Sequence, residues 1–134
     1  MAGIYPDEGL RKVAELITGF SANGNLTMRL FVNNITPGAA TVKADFTECT
    51  LTGYTSKTLN TSNWTFGISS SVETASYPQQ NWVFTASGQT IYGYYVTDPT
   101  DAKVVWCERI ASPYAVPSGG GSIQITPTIS DLNN

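Results

Sequence analysis

Histidine is absent from this chain. That removes Ser–His and Cys–His nucleophile systems and the commonest metal-ligating side chain together. Only two cysteines are present, Cys49 and Cys107, far apart in the sequence. They form neither a close zinc-type pair nor a disulfide framework. The default for each is a free, buried thiol that packs as a small apolar group. Charge is scarce too: 13% of residues are charged and the formal net charge is -3. With no basic patch there is no electrostatic footprint for DNA or RNA, so direct nucleic-acid binding is not expected. No apolar run is long enough to span a bilayer. Residues 1–6 lack the charged start and long apolar run of a secretory signal, so none is expected there.

What is present is apolar and aromatic. The 134 residues are 41% apolar and 11% aromatic, enough for one domain with one sizeable core. Abundant Thr, Ser, Asn and Gly fit the surface of a β-sandwich rather than a disordered chain. Asn25, Asn34, Asn60 and Asn63 each begin an N-x-S/T triplet, which so Asn- and Thr-rich a composition produces by chance.

The stretch 91–110 carries the strongest signal. Two aromatic-rich runs flank a Pro/Asp/Thr turn at 99–102, the pattern of a long antiparallel hairpin. With Asp98 opposite Lys103, one face pairs Val96 with Val105, Tyr94 with Cys107 and Tyr92 with Arg109. The other pairs Tyr95 with Trp106, Gly93 with Glu108 and Ile91 with Ile110. A slip of one residue would exchange the faces. Both faces are apolar, so both need cover: one from the core, the other from an N-terminal helix or a second subunit. Glu108 and Arg109 point to opposite faces, which makes them structural charges rather than a catalytic pair.

Around the hairpin the chain falls into a helical arm, 1–22, and a β domain, 23–134, in one folding unit. Asp7 is positioned to cap a helix running to about residue 18. Leu10, Val13, Ala14 and Ile17 form its apolar stripe and Gly19 is a fitting stop. So short a helix is marginal alone and must dock. Its narrow stripe and lack of a basic face disfavour membrane binding. Leu26, Met28, Leu30 and Val32 alternate with Thr27, Arg29 and Phe31, which is a strand. Further strands are expected over 44–51, 53–59, from Trp64, over 72–77 and over 81–86. The last of these is expected to turn at 87–89 into the hairpin, giving a three-strand meander. Pro113 and Pro117 bracket a short extended piece, and Ile123, Ile125 and Ile129 make a final strand. The Gly-rich 118–122 is a turn, since no Lys follows it and no strand–loop–helix order surrounds it. The fold class is mainly β: an antiparallel β-sandwich or jelly roll with one short N-terminal helix.

No catalytic constellation emerges, and no cofactor is called for. Asp98, Asp101 and Glu48 read as turn-forming or solvated carboxylates rather than a sugar-cleaving pair. Tyr54, Trp64 and Tyr77 read as packing groups before sugar-stacking platforms. Apolarity points to Leu10, Val13 and Ile17 for helix docking, and to Tyr92, Tyr94 and Arg109 for a subunit contact.

One ordered set of pieces spans nearly the whole chain. A short N-terminal helix is followed by the strand 25–31 (NLTMRLF). Then come Gly53, Tyr54, Lys57, Thr58 and Leu59, and after them Trp64-Thr65. Tyr77-Pro78-Gln79-Gln80 precedes 91–98 (IYGYYVTD), Trp106-Cys107-Glu108-Arg109 and Ile123-Gln124-Ile125-Thr126-Pro127. In this order the chain resembles a family of small virion structural proteins of tailed bacteriophages, most of all capsid decoration (cement) proteins. The resemblance implies a non-enzymatic β-rich protein, often trimeric, made in the host cytoplasm and carried on the capsid surface. Its partner would be the major capsid protein or another virion protein. A neck, tail or fibre-associated adaptor is the alternative within the virion, and a carbohydrate-binding module the alternative outside it.

Overall fold

The structure is a computed structural model that describes residues 3, 4, 6, 24–69 and 72–130. The expected helix, with Leu10, Val13 and Ile17, lies outside the described residues. The described chain is mainly β and antiparallel. Its strands are β1 (Leu26–Phe31), β2 (Lys57–Leu59), β3 (Thr65–Ser69), β4 (Val72–Ser76), β5 (Gln80–Phe84), β6 (Thr90–Thr97), β7 (Val104–Ala115), β8 (Gly121–Ile125) and β9 (Thr128–Ser130).

One layer is a four-stranded sheet in the order β2-β1-β6-β7. The other is built on a long two-stranded ribbon. β4 and β5 run in succession along β9 and β8, and β3 flanks β4. Pro78 and Pro127 interrupt this ribbon, since neither has an N–H for the ladder. The Tyr77 amide donates to the Pro127 carbonyl at 3.0 Å and bridges the break. From Ser76↔Thr128 to Gln80↔Ile125 one side advances four residues and the other three. The expected single last strand is therefore two, β8 and β9.

The main core lies between the layers. Met28, Leu30, Ile91, Tyr94, Val96 and Trp106 come from the four-stranded sheet. Trp82 and Phe84 come from β5, with Ile123, Ile125 and Ile129 packed against them from β8 and β9. The alternation read in β1 is realised: Met28 and Leu30 are fully buried here, while Phe31 turns to the opposite face.

The hairpin register holds at the turn and then shifts. Thr97 pairs with Val104, and the Asp98 amide donates to the Lys103 carbonyl at 2.9 Å. Val96, however, pairs with Trp106, so Val105 is an extra residue, a β-bulge. The bulge rotates Trp106 onto the face of Val96 and Tyr94, where its indole N–H donates to the Tyr94 hydroxyl at 3.1 Å. Cys107 then pairs with Tyr95. A second irregularity lies between the pairs Ile91↔Tyr114 and Gly93↔Arg109. The piece bracketed by Pro113 and Pro117 is thus largely the end of β7.

Three other expectations are corrected. β5 does not form a meander with β6, because β1 and β7 occupy both edges of β6. The link 85–89 instead crosses between layers, with Thr85 bonded to Thr52 and Val116 to Gln89. Residues 44–51 form no strand. Lys43–Asp45 is a single 3-10 turn whose Asp45 carboxylate accepts from the Val42 amide at 2.9 Å, and only Glu48 makes an isolated bridge, to Phe31. The 53–59 strand shrinks to β2.

Trp106 is 2% exposed in the main core. Trp106→Ala is expected to lower stability by roughly 3–5 kcal/mol in denaturant unfolding.

Candidate interaction surface

The second face of the hairpin is covered from within the chain. Tyr95, Cys107 and Val104 join Phe31 and Phe46 in a second apolar cluster, with Ile4, Ile35 and Tyr92 against it. The Phe46 ring stacks on Tyr95 with centroids 4.4 Å apart and planes 4° apart. Asn33 holds the covering segment 33–47 in place. Its amide donates to the Asp45 carbonyl and its oxygen accepts from the Thr47 amide, both at 2.8 Å.

Beside this cluster lies a network of charges. The carboxylate of Asp101 is bonded to Arg29 Nη1, to Arg29 Nη2 at 3.0 Å, to Thr97 Oγ1 at 2.6 Å and to Lys43 Nζ at 3.1 Å. Arg29 Nε reaches Glu48 at 3.2 Å, and Glu48 accepts from the Tyr54 hydroxyl at 2.7 Å. Asp101 sits at φ 58, a left-handed position that Asp tolerates. The turn is shaped by Asp98, which is buried. Its carboxylate accepts from the Ala102 and Lys103 amides and the Thr100 hydroxyl. So β1, the 33–47 segment and the hairpin turn are fastened at one point.

Burial alone would raise the Asp101 carboxyl, but hydrogen bonds from Thr97, Arg29 and Lys43 hold it at about 2. Burial, then the charge of Glu48, pushes the Tyr95 hydroxyl up to about 12. Burial pushes the Cys107 thiol up to about 12 and raises Cys49 as well. The two cysteines are free and lie in different clusters, Cys49 in the main core and Cys107 in the second.

The residues expected at a subunit contact divide. Arg109 and Tyr92 meet: the guanidinium lies 5.1 Å from the ring centroid, and Arg109 Nη1 donates to the Ile35 carbonyl at 2.9 Å. Both remain partly exposed. Tyr94 is not with them. It is 1% exposed in the main core, and its hydroxyl donates to Glu108 at 3.0 Å. It shares the core face of β6 with Val96, and the bulge in β7 brings Trp106 onto that face beside it, so Tyr94 is a core residue of its own chain. Glu108 and Arg109 do serve opposite faces.

The aromatic trio is also absorbed by packing. Tyr77 is buried and accepts from the Asn60 amide at 2.8 Å, and Trp64 meets it edge-on at 5.2 Å. Tyr54 accepts from the Leu30 amide while donating to Glu48. Among the described residues, no group of three or more His, Cys, Asp or Glu is placed to hold a metal ion. Among them, too, no helix is long and apolar enough to cross a membrane. The Arg29–Asp101 link escaped the sequence reading. A lone Arg on the Phe31 face of a strand was its only trace.

No known family model matches the chain, and neither characterised proteins nor solved structures yield a match.

Two outcomes follow from this geometry. Tyr94→Phe removes the hydroxyl shared by Trp106 and Glu108 and is expected to cost about 1–3 kcal/mol in denaturant unfolding, with oligomer mass unchanged. Because the Asp101 carboxyl is depressed, its stabilising contribution is complete above the ordinary value of 3.8 and is lost as pH falls towards about 2. Thermal melts of Asp101→Asn should lie below the parent at pH 7 and converge with it at the acid end.

Proposed function

We propose that this protein is a non-enzymatic decoration (cement) protein of a tailed-phage capsid, acting as a homotrimer. It binds the outside of the shell and stabilises contacts between major capsid proteins. The supporting observation is where the resemblance-bearing pieces fall. Residues 25–31, 57–59, 91–98 and 106–109 contribute to all four strands of one sheet. Tyr77 and Pro127 meet at the joint of the facing ribbon. The resemblance therefore follows a scaffold rather than a catalytic cleft.

Adhesion is the physical task on this reading. A modest contact repeated in many copies on one shell becomes strong in aggregate. Arg109 and Tyr92 supply an accessible cation–aromatic pair beside the covered hairpin face, a suitable kind of contact element.

The test is the solution mass of the purified protein, followed by sedimentation with expanded capsids of the phage that encodes it. A trimer that co-sediments is the expected result. A monomer that stays in the supernatant overturns the reading.

A further inference from the structure

The outer edge of β7 holds a segment from the start of the chain. Ile4 pairs antiparallel with Cys107, its N–H donating to the Cys107 carbonyl at 2.9 Å and its carbonyl accepting from the Cys107 N–H at 3.2 Å. Its side chain packs on the second cluster. Gly3, one residue away, lies against the Trp106 ring, where a Cβ would overlap the indole. Gly3 and Pro6 are both buried. The arm therefore closes both faces of the β7 edge at once. The fit is selective, requiring no side chain over Trp106 and an aliphatic one over the second cluster. Further along the same edge, Pro113 has no N–H to offer a pairing strand.

We infer that this arm is an exchangeable edge strand, and that the β7 slot also accepts the arm of a second copy of this chain. The occupant's identity follows from the fit, since residues 3, 4 and 6 of this sequence fill the slot. The reach follows from chain length. Residues 7–23 separate the arm from Gly24, which lies against Pro99. Those seventeen residues reach about 60 Å at most when fully extended, and about 35 Å with the expected helix formed. A domain of this size is about 35 Å across, so a neighbour's edge is within range. The contacts are the same whether the arm is home or away, so exchange sacrifices none of them. Effective concentration then decides: a tethered arm competes at roughly millimolar level, and crowded copies match that. The inference does not depend on the capsid reading.

Two full-length proteins test it. The donor carries Ile4→Cys, Cys107→Ala and Cys49→Ala. The acceptor carries Cys49→Ala alone and keeps Cys107. A disulfide between them needs the donor's arm in the acceptor's slot, because each chain has one thiol and the two are cross-strand partners. After mixing and mild oxidation, non-reducing electrophoresis should show the heterodimer at about 1 mM and at least tenfold less at about 10 μM. Adding Gly3→Leu to the donor should abolish it. A chain with both Ile4→Cys and native Cys107 should close internally when dilute. Internal closure without heterodimer at about 1 mM overturns exchange, as does a heterodimer that persists with Gly3→Leu. If Cys107→Ala does not melt cooperatively, Cys107→Val replaces it.

Discussion

A hairpin with two apolar faces cannot be satisfied by one core. β6 and β7 present Tyr94, Val96 and Trp106 on one side and Tyr95 and Cys107 on the other. Leaving either in water would forgo roughly 1.5–3 kcal/mol per large side chain. Much of the remaining architecture answers that constraint. The β5–β8 ribbon closes the first face. Phe46, the 33–47 segment and Ile4 close the second. The fold is thus a sandwich with a partial third layer, made of irregular chain rather than of a sheet.

Irregular cover carries a difficulty that a sheet does not have: its backbone polar groups need partners one by one. Asn33 bonds both the Asp45 carbonyl and the Thr47 amide, and Lys43 reaches both the carbonyl and the carboxylate of Asp101. Asp101, in the hairpin turn, takes both Arg29 of β1 and Lys43 of the cover, and so ties the cover to the sheet beneath. Among the described residues no buried side-chain nitrogen or oxygen lacks a partner. Electrostatics here is chiefly a means of holding one piece of chain on another.

The parts legible from sequence were those fixed by neighbouring residues. Met28 and Leu30 alternate with Arg29 and Phe31, and that alternation placed β1 correctly on both of its faces. Asp98 opposite Lys103 was legible because a short turn dictates its own ends. What escaped depended on distant partners. Nothing local marks Val105 as the extra residue of a bulge, since Val104, Val105 and Trp106 are equally apolar; the choice is made by the core that receives the indole. The pairing of β5 with β8 was hidden for the same reason, as 87–89 looks like any hairpin turn. At the surface, Tyr92 and Arg109 do meet, although Arg109 pairs with Gly93 rather than with Tyr92, and Tyr94 was wrongly grouped with them because the irregularity between Ile91 and Gly93 sends Tyr92 and Tyr94 to different clusters.

Cys49 and Cys107 sit on opposite sides of one sheet, each within its own apolar cluster. Burial raises both thiols, so little reactive thiolate forms at neutral pH. They are neither a latent crosslink nor an easy target for oxidants. Each thiol therefore serves as a packing group in its own cluster, and the fold holds no disulfide for a reductant to break.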